Sequence, residues 1–178
     1  MATDPRAVID REPMSRFQWG VVATMIGLNA LDGFDVLSIS FASPGIAKDW
    51  GIDRAALGIV LSMELIGMAI GSLFLGGVAD RIGRRATILS CLGLMTLGML
   101  GAATANGIET LSAWRVLTGL GIGGMLAATN AAVAEASNAK HRSLAVVLMA
   151  GGYPIGTIIG GSVSAVLLTH YDWRAPQH

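Results

Sequence analysis

The sequence has 178 residues, 53% of them hydrophobic and 13% charged, with no net charge and a mean hydropathy of +0.62. A water-soluble domain of this length needs far more polar surface, and twelve basic against twelve acidic residues leave no basic excess for a nucleic-acid partner. The 24 glycines and sparse aromatics are instead the composition of closely packed membrane helices.

Residues 1–16 are polar, carry Arg6, Arg11 and Arg16, and are expected to form a short tail. The apolar run that follows exceeds the roughly 7–15 residues of a signal-peptide core, so it reads as a retained span. Crossing the hydrocarbon core takes about 20 apolar residues. Five segments qualify, at 17–41, 57–78, 86–105, 110–134 and 144–168. Together they predict an all-α, polytopic bundle of about five transmembrane helices over 17–168. Pro44-Gly45 with Asp49–Arg54, then Asp80–Arg85, Asn106-Gly107 and Asn138–Ser143 supply the breaks. Residues 169–178 form the remaining end.

Lysine and arginine orient the spans. With an inside amino terminus, Arg6, Arg11, Arg16, Arg81, Arg84, Arg85, Lys140 and Arg142 face inward, against Lys48, Arg54 and Arg174 outward. That asymmetry places the amino terminus in the cytoplasm, and the chain is expected to lie in the plasma (inner) membrane.

Small residues recur at spacing four: Gly152, Gly156, Gly160 and Ser164 in the fifth span, Gly119, Gly123 and Ala127 in the fourth, and Gly67, Gly71 with Ser72, Gly76 in the second. Such rows let helix backbones approach closely, which predicts a tight bundle. Pro154 predicts a bend in the fifth span. The formal GxGxxG at Gly119–Gly124 follows no strand, so helix packing explains it better than a dinucleotide. Cys91 has no disulfide partner, and His141, His170 and His178 are scattered at segment ends. Neither a metal site, a cofactor site nor a catalytic constellation is expected, so the chain is not read as an enzyme.

The first span departs from its apolar surroundings at Asn29-Ala-Leu-Asp32-Gly33-Phe-Asp35. Asn29, Asp32 and Asp35 share one helix face. An ionised carboxylate facing lipid costs about 2.5–3.5 kcal/mol on insertion scales, so this face should look into protein or a wet cavity. At about 1.5 Å rise per residue, Asp32, Asp35, Glu64 and Arg115 all fall in the outer half of the membrane, Asp35 nearest Arg115 in depth. Snorkelling to the outer interface is the alternative for Arg115. Three carboxyl groups and one guanidinium cannot all be ionised cheaply when buried, so at least one of Asp32 and Glu64 is expected to take up a proton near neutral pH. A buried carboxyl that gains and loses a proton is a coupling device.

The loop Gly76-Gly-Val-Ala-Asp80-Arg81-Ile-Gly83-Arg84-Arg85 resembles the GxxxDRxGRR loop between helices two and three of the major facilitator superfamily. Gly76 and Gly83 would make its tight turn and Asp80 would cap a helix start. Arg115-x-x-x-Gly119-x-Gly121-x-Gly123 resembles that superfamily's fourth-helix motif, and Glu135 with Arg142 its next cytoplasmic loop. Asp32-Gly33-Phe34-Asp35 looks like the DGxD of its aromatic acid:proton symporters, and Gly152-Tyr153-Pro154-Ile-Gly156 fits that subgroup. The drug-antiporter signature GxxxGPxxGG is absent.

The resemblance implies the amino-terminal half of a twelve-helix carrier working by alternating access, with no sixth helix in the sequence. It implies inward movement of an aromatic or related organic acid with protons and no other cofactor. Asp32 and Asp35, with Glu64 added by depth alone, would carry the coupling. Arg115 would meet the substrate carboxylate, and Asn29 is expected as a second substrate-binding residue. Gly76, Asp80, Arg81, Gly83, Arg84, Arg85, Glu135 and Arg142 would form the cytoplasmic gate. Partners would be the substrate, the bilayer and a carboxyl-terminal half or an intact carrier, with no nucleic acid. The alternatives are a non-transporting membrane fragment or interaction protein, or a carrier for a drug or another organic acid.

Overall fold

The computed structural model of the protein describes residues 13–51 and 53–170. Arg6, Arg11, Arg174 and His178 lie outside them. The described residues form five α-helices and no strand: α1 (Arg16–Trp50), α2 (Arg54–Ile82), α3 (Arg84–Ala103), α4 (Ile108–Ala136) and α5 (Arg142–His170). Each contains a stretch long and apolar enough to cross a membrane.

Helix α1 begins with a capping box. Ser15 Oγ accepts from the Gln18 backbone N–H at 3.3 Å, and Gln18 Oε1 accepts from the Ser15 N–H at 2.7 Å. The expected break at Pro44-Gly45 is not there, because α1 continues through Pro44 to Trp50. Pro44 has no N–H for the Ser40 carbonyl, and the Ser43 hydroxyl donates to that carbonyl instead, at 2.7 Å. The helix ends at Gly51, whose φ of 61° is left-handed and whose N–H bonds to the Ala47 carbonyl.

The Asp80–Arg85 segment is also more helical than expected. Only Gly83 interrupts it, at φ 92°, a conformation that favours glycine. Asp80 therefore lies in the last turn of α2 and caps no helix start. Gly76 makes no turn either: it sits within α2, where an added Cβ would lie 3.3 Å from the Ala127 Cβ of α4.

The helix ends alternate between two faces. On the first, Gln18 Nε2 donates to the Ala136 carbonyl at 2.8 Å and Arg142 Nε to the Ala134 carbonyl at 3.1 Å. These contacts join the starts of α1 and α5 to the end of α4. Trp19 meets His141 edge-on there, with ring centroids 6.3 Å apart. At the opposite face Ile46, Leu57, Val60, Ala102, Ala105 and Leu111 form a buried cluster.

Helix α4 is central, packed against α2 and α3, while α1 pairs with α5. Glycine explains both pairings. A Cβ on Gly67 or Gly71 would overlap the backbone carbonyl of Val116 or Leu120, and one on Gly119 or Gly123 that of Glu64 or Met68. The small-residue rows of α2 and α4 thus interlock. Gly152 and Gly156 approach the Ile26 and Ala30 carbonyls in the same way, and Gly33 approaches that of Tyr153. Lipid offers little hydrophobic drive between helices, so this close contact holds the bundle. Gly123→Ala and Gly156→Ala should each lose about 1–3 kcal/mol by overpacking. Thermal unfolding in detergent checks this; Gly93→Ala, with nothing within 4 Å of the new methyl, should match the parent.

Candidate functional site

Arg115 is the largest fully buried side chain described. It lies two turns into α4, about 10 Å from the helix start. It does not snorkel: its relative exposure is 1%, beside 1% for Asp32, 1% for Asp35 and 3% for Glu64. A guanidinium is tolerated there because carboxylates from two other helices reach it. Nη1 donates to Asp35 Oδ1 of α1 at 3.4 Å, and Nη2 lies 3.2 Å from Glu64 Oε2 of α2. The second contact is an ion pair without the alignment of a hydrogen bond.

The backbone places these groups. Gly119, one turn after Arg115, lets the α2 backbone come against α4 at Glu64 itself, and Gly67 does so three residues later at Val116. Glu64 and Arg115 are therefore set side by side by a close backbone contact of the α2–α4 interface. Gly33, between the two aspartates, seats α1 on α5 at Tyr153 and Thr157.

Asp32 lies one turn from Asp35 on the same face. Neither of its carboxyl oxygens has a hydrogen-bond partner among the described residues. Asn29 is directed elsewhere: its Nδ2 donates to the Met149 carbonyl of α5 at 2.7 Å, which makes a packing contact between helices. Tyr153, which the sequence motif contained without a role, lies within electrostatic reach of Glu64 and Asp32. Among the described residues, no group of His, Cys, Asp and Glu is placed to hold a metal.

A second constellation sits on the face where α1 begins. Arg84 Nη2 lies 2.7 Å from Asp80 Oδ1 and 2.7 Å from Glu135 Oε1, with Nε 3.4 Å from Glu135 Oε2. One guanidinium at the start of α3 thus joins the ends of α2 and α4. Arg81 and Arg85 are exposed beside it. Arg142 bonds the Ala134 backbone, one residue from Glu135.

This pairing of an intramembrane ion cluster with a charged clasp at one face accompanies a clear family match. Residues 25–176 fit the model of the Major Facilitator Superfamily. The chain belongs to that superfamily. It is 38% identical over 172 residues to the 4-hydroxybenzoate transporter of Pseudomonas aeruginosa, covering 97% of this chain and 38% of that protein. It is 34% identical to the gallate transporter of Pseudomonas putida over the same shares. The benzoate transport protein of Acinetobacter baylyi is 30% identical, over 94% of this chain and 37% of that protein. This superfamily member therefore spans a little over a third of the length of these relatives.

Proposed function

We propose that the protein serves proton-coupled uptake of an aromatic or related organic acid across the inner membrane by alternating access, with the proton as coupling ion and no other cofactor. Residues 17–168 would belong to the amino-terminal half of the carrier, which works with a carboxyl-terminal half in the bilayer. The observation that carries this reading is Arg115, a cation buried between Asp35 and Glu64 in a chain similar to carriers of aromatic acids. A guanidinium in low dielectric is a strong receptor for a carboxylate, and buried carboxyl groups around it can exchange protons.

In this reading Arg115 binds the substrate carboxylate, and Asp32, Asp35 and Glu64 carry the coupling proton among them. Asn29 supports the site by fixing α1 to α5. The basic residues Arg16, Arg81, Arg84, Arg85, Lys140 and Arg142 favour a cytoplasmic location for the face where α1 begins. The test is uptake of labelled 4-hydroxybenzoate by cells expressing the intact gene product. Accumulation that an uncoupler collapses is the expected result. No accumulation above an empty-vector control rejects the reading; accumulation indifferent to the uncoupler rejects its proton coupling.

The clasp of Asp80, Arg84 and Glu135 is proposed as the cytoplasmic gate, with Gly76, Arg81, Gly83, Arg85 and Arg142 around it. Exposed ion pairs add little to stability. Arg84→Ala should therefore leave the yield and unfolding temperature of the protein near the parent values while slowing uptake. Parent-level uptake in Arg84→Ala would remove the gate assignment.

A further inference from the structure

The guanidinium of Arg115 has one edge engaged and one buried edge without a hydrogen-bond acceptor among the described residues. Nη1 is hydrogen-bonded to Asp35. Nε and Nη2, the pair of donors that a carboxylate grips side-on, have no hydrogen-bond acceptor among the described residues. Glu64 lies against this edge without filling it. Its Oε2 is 3.2 Å from Nη2 and misaligned, and its Oε1 has no partner among the described residues.

We propose that Glu64 is the group the substrate displaces: it neutralises the unsatisfied edge of Arg115 in the empty carrier and takes up a proton when a substrate carboxylate replaces it there. The proposal rests on the reading of Arg115 as the substrate site. An incoming carboxylate at this edge gains two aligned, charge-assisted hydrogen bonds, neither of which Glu64 makes. Asp35 keeps its hydrogen bond to Nη1 throughout.

Displacement leaves Glu64 buried and without its cation. The charged groups facing it are then Arg115 of α4, now occupied, and Asp35 of α1, with the Tyr153 phenol of α5 within electrostatic reach. An ionised carboxylate in that setting is strongly disfavoured, so it takes a proton. The charges balance. The Glu64 carboxylate forms an O–H bond with a proton from the uptake side, the substrate stays ionised on Arg115, and the total charge of the cluster is unchanged. At the other face the O–H bond breaks, the proton leaves, and Glu64 returns to Arg115 as the substrate departs. One proton thus accompanies each monocarboxylate.

The experiment measures proton uptake when the purified intact gene product binds 4-hydroxybenzoate in weak buffer with a pH indicator. The parent should take up roughly one proton per anion bound. Glu64→Gln, which mimics the protonated acid, should bind the anion with no proton uptake. Reconstituted in vesicles, it should exchange labelled for unlabelled substrate yet fail to concentrate it. A structural role alone would not separate exchange from accumulation. Proton uptake in Glu64→Gln equal to the parent overturns the proposal.

Should Glu64→Gln not fold, infrared difference spectra of the parent and Glu64→Asp decide. The protonated-carboxyl band raised by substrate should shift in Glu64→Asp, and an unshifted band overturns the assignment. A parent that binds no aromatic acid instead defeats the reading of the site beneath it. A parent that binds the acid without proton uptake leaves that reading intact and defeats the exchange.

Discussion

Arg115→Lys is expected to yield a folded protein whose half-saturating concentration of aromatic acid rises about tenfold or more. An ammonium keeps the charge but has no rigid pair of parallel donors. The loss of one charge-assisted bond and of bidentate geometry, each tenfold being about 1.4 kcal/mol, gives that magnitude. Arg115→Ala is expected to be far more damaging. It leaves Asp35 and Glu64 buried against each other with no cation, and breaking a buried ion pair from one side costs about 3–5 kcal/mol. Substrate binding should vanish and the unfolding temperature should fall sharply. Equilibrium binding and thermal unfolding in detergent check both variants. Unchanged affinity in Arg115→Lys would show that the guanidinium does not hold the acid.

Depth along the spans makes the cluster legible in the sequence. Each crossing needs about 20 apolar residues, so the position of a charge within its run fixes its height in the membrane. That height brings Asp32, Asp35, Glu64 and Arg115 into one slab. Height says nothing of rotation or of which helices adjoin. It therefore did not reveal that Arg115 is shared between α1 and α2, or that Asn29 turns to Met149 of α5. The information was partly present in Gly119, four residues after Arg115. Its missing side chain brings the Glu64 backbone against α4, but the partner of a small residue cannot be read from one chain segment alone.

Breaks were less legible than spans. Pro44 and Gly76 both read as punctuation, and both lie inside helices. In each case a neighbour removes the reason for a break. Ser43 satisfies the carbonyl that Pro44 leaves, and Ala127 packs on the space Gly76 opens. Gly83 is different because its φ of 92° is a demand on the backbone itself, and there the sequence pattern and the chain direction agree.

Asp32 and Asp35 should respond differently to removal of their charge. Asp32 has no hydrogen-bond partner for either oxygen among the described residues, so Asp32→Asn changes little that holds the fold together. It replaces an acid that can exchange its proton with an amide that cannot. Uptake driven by a proton gradient should fall to background, while the unfolding temperature stays near that of the parent and substrate exchange without a gradient persists. Asp35→Asn removes the carboxylate that bonds Nη1 of Arg115 and leaves Glu64 as its remaining acidic neighbour among the described residues. Glu64 is then held more firmly on the edge the substrate needs. Gradient-driven uptake should again be lost, but here with weaker binding and impaired exchange as well. The separation of the two phenotypes follows from geometry alone: one carboxyl group touches the cation and the other does not. Parent-level, gradient-driven uptake in both variants would remove the aspartates from the coupling.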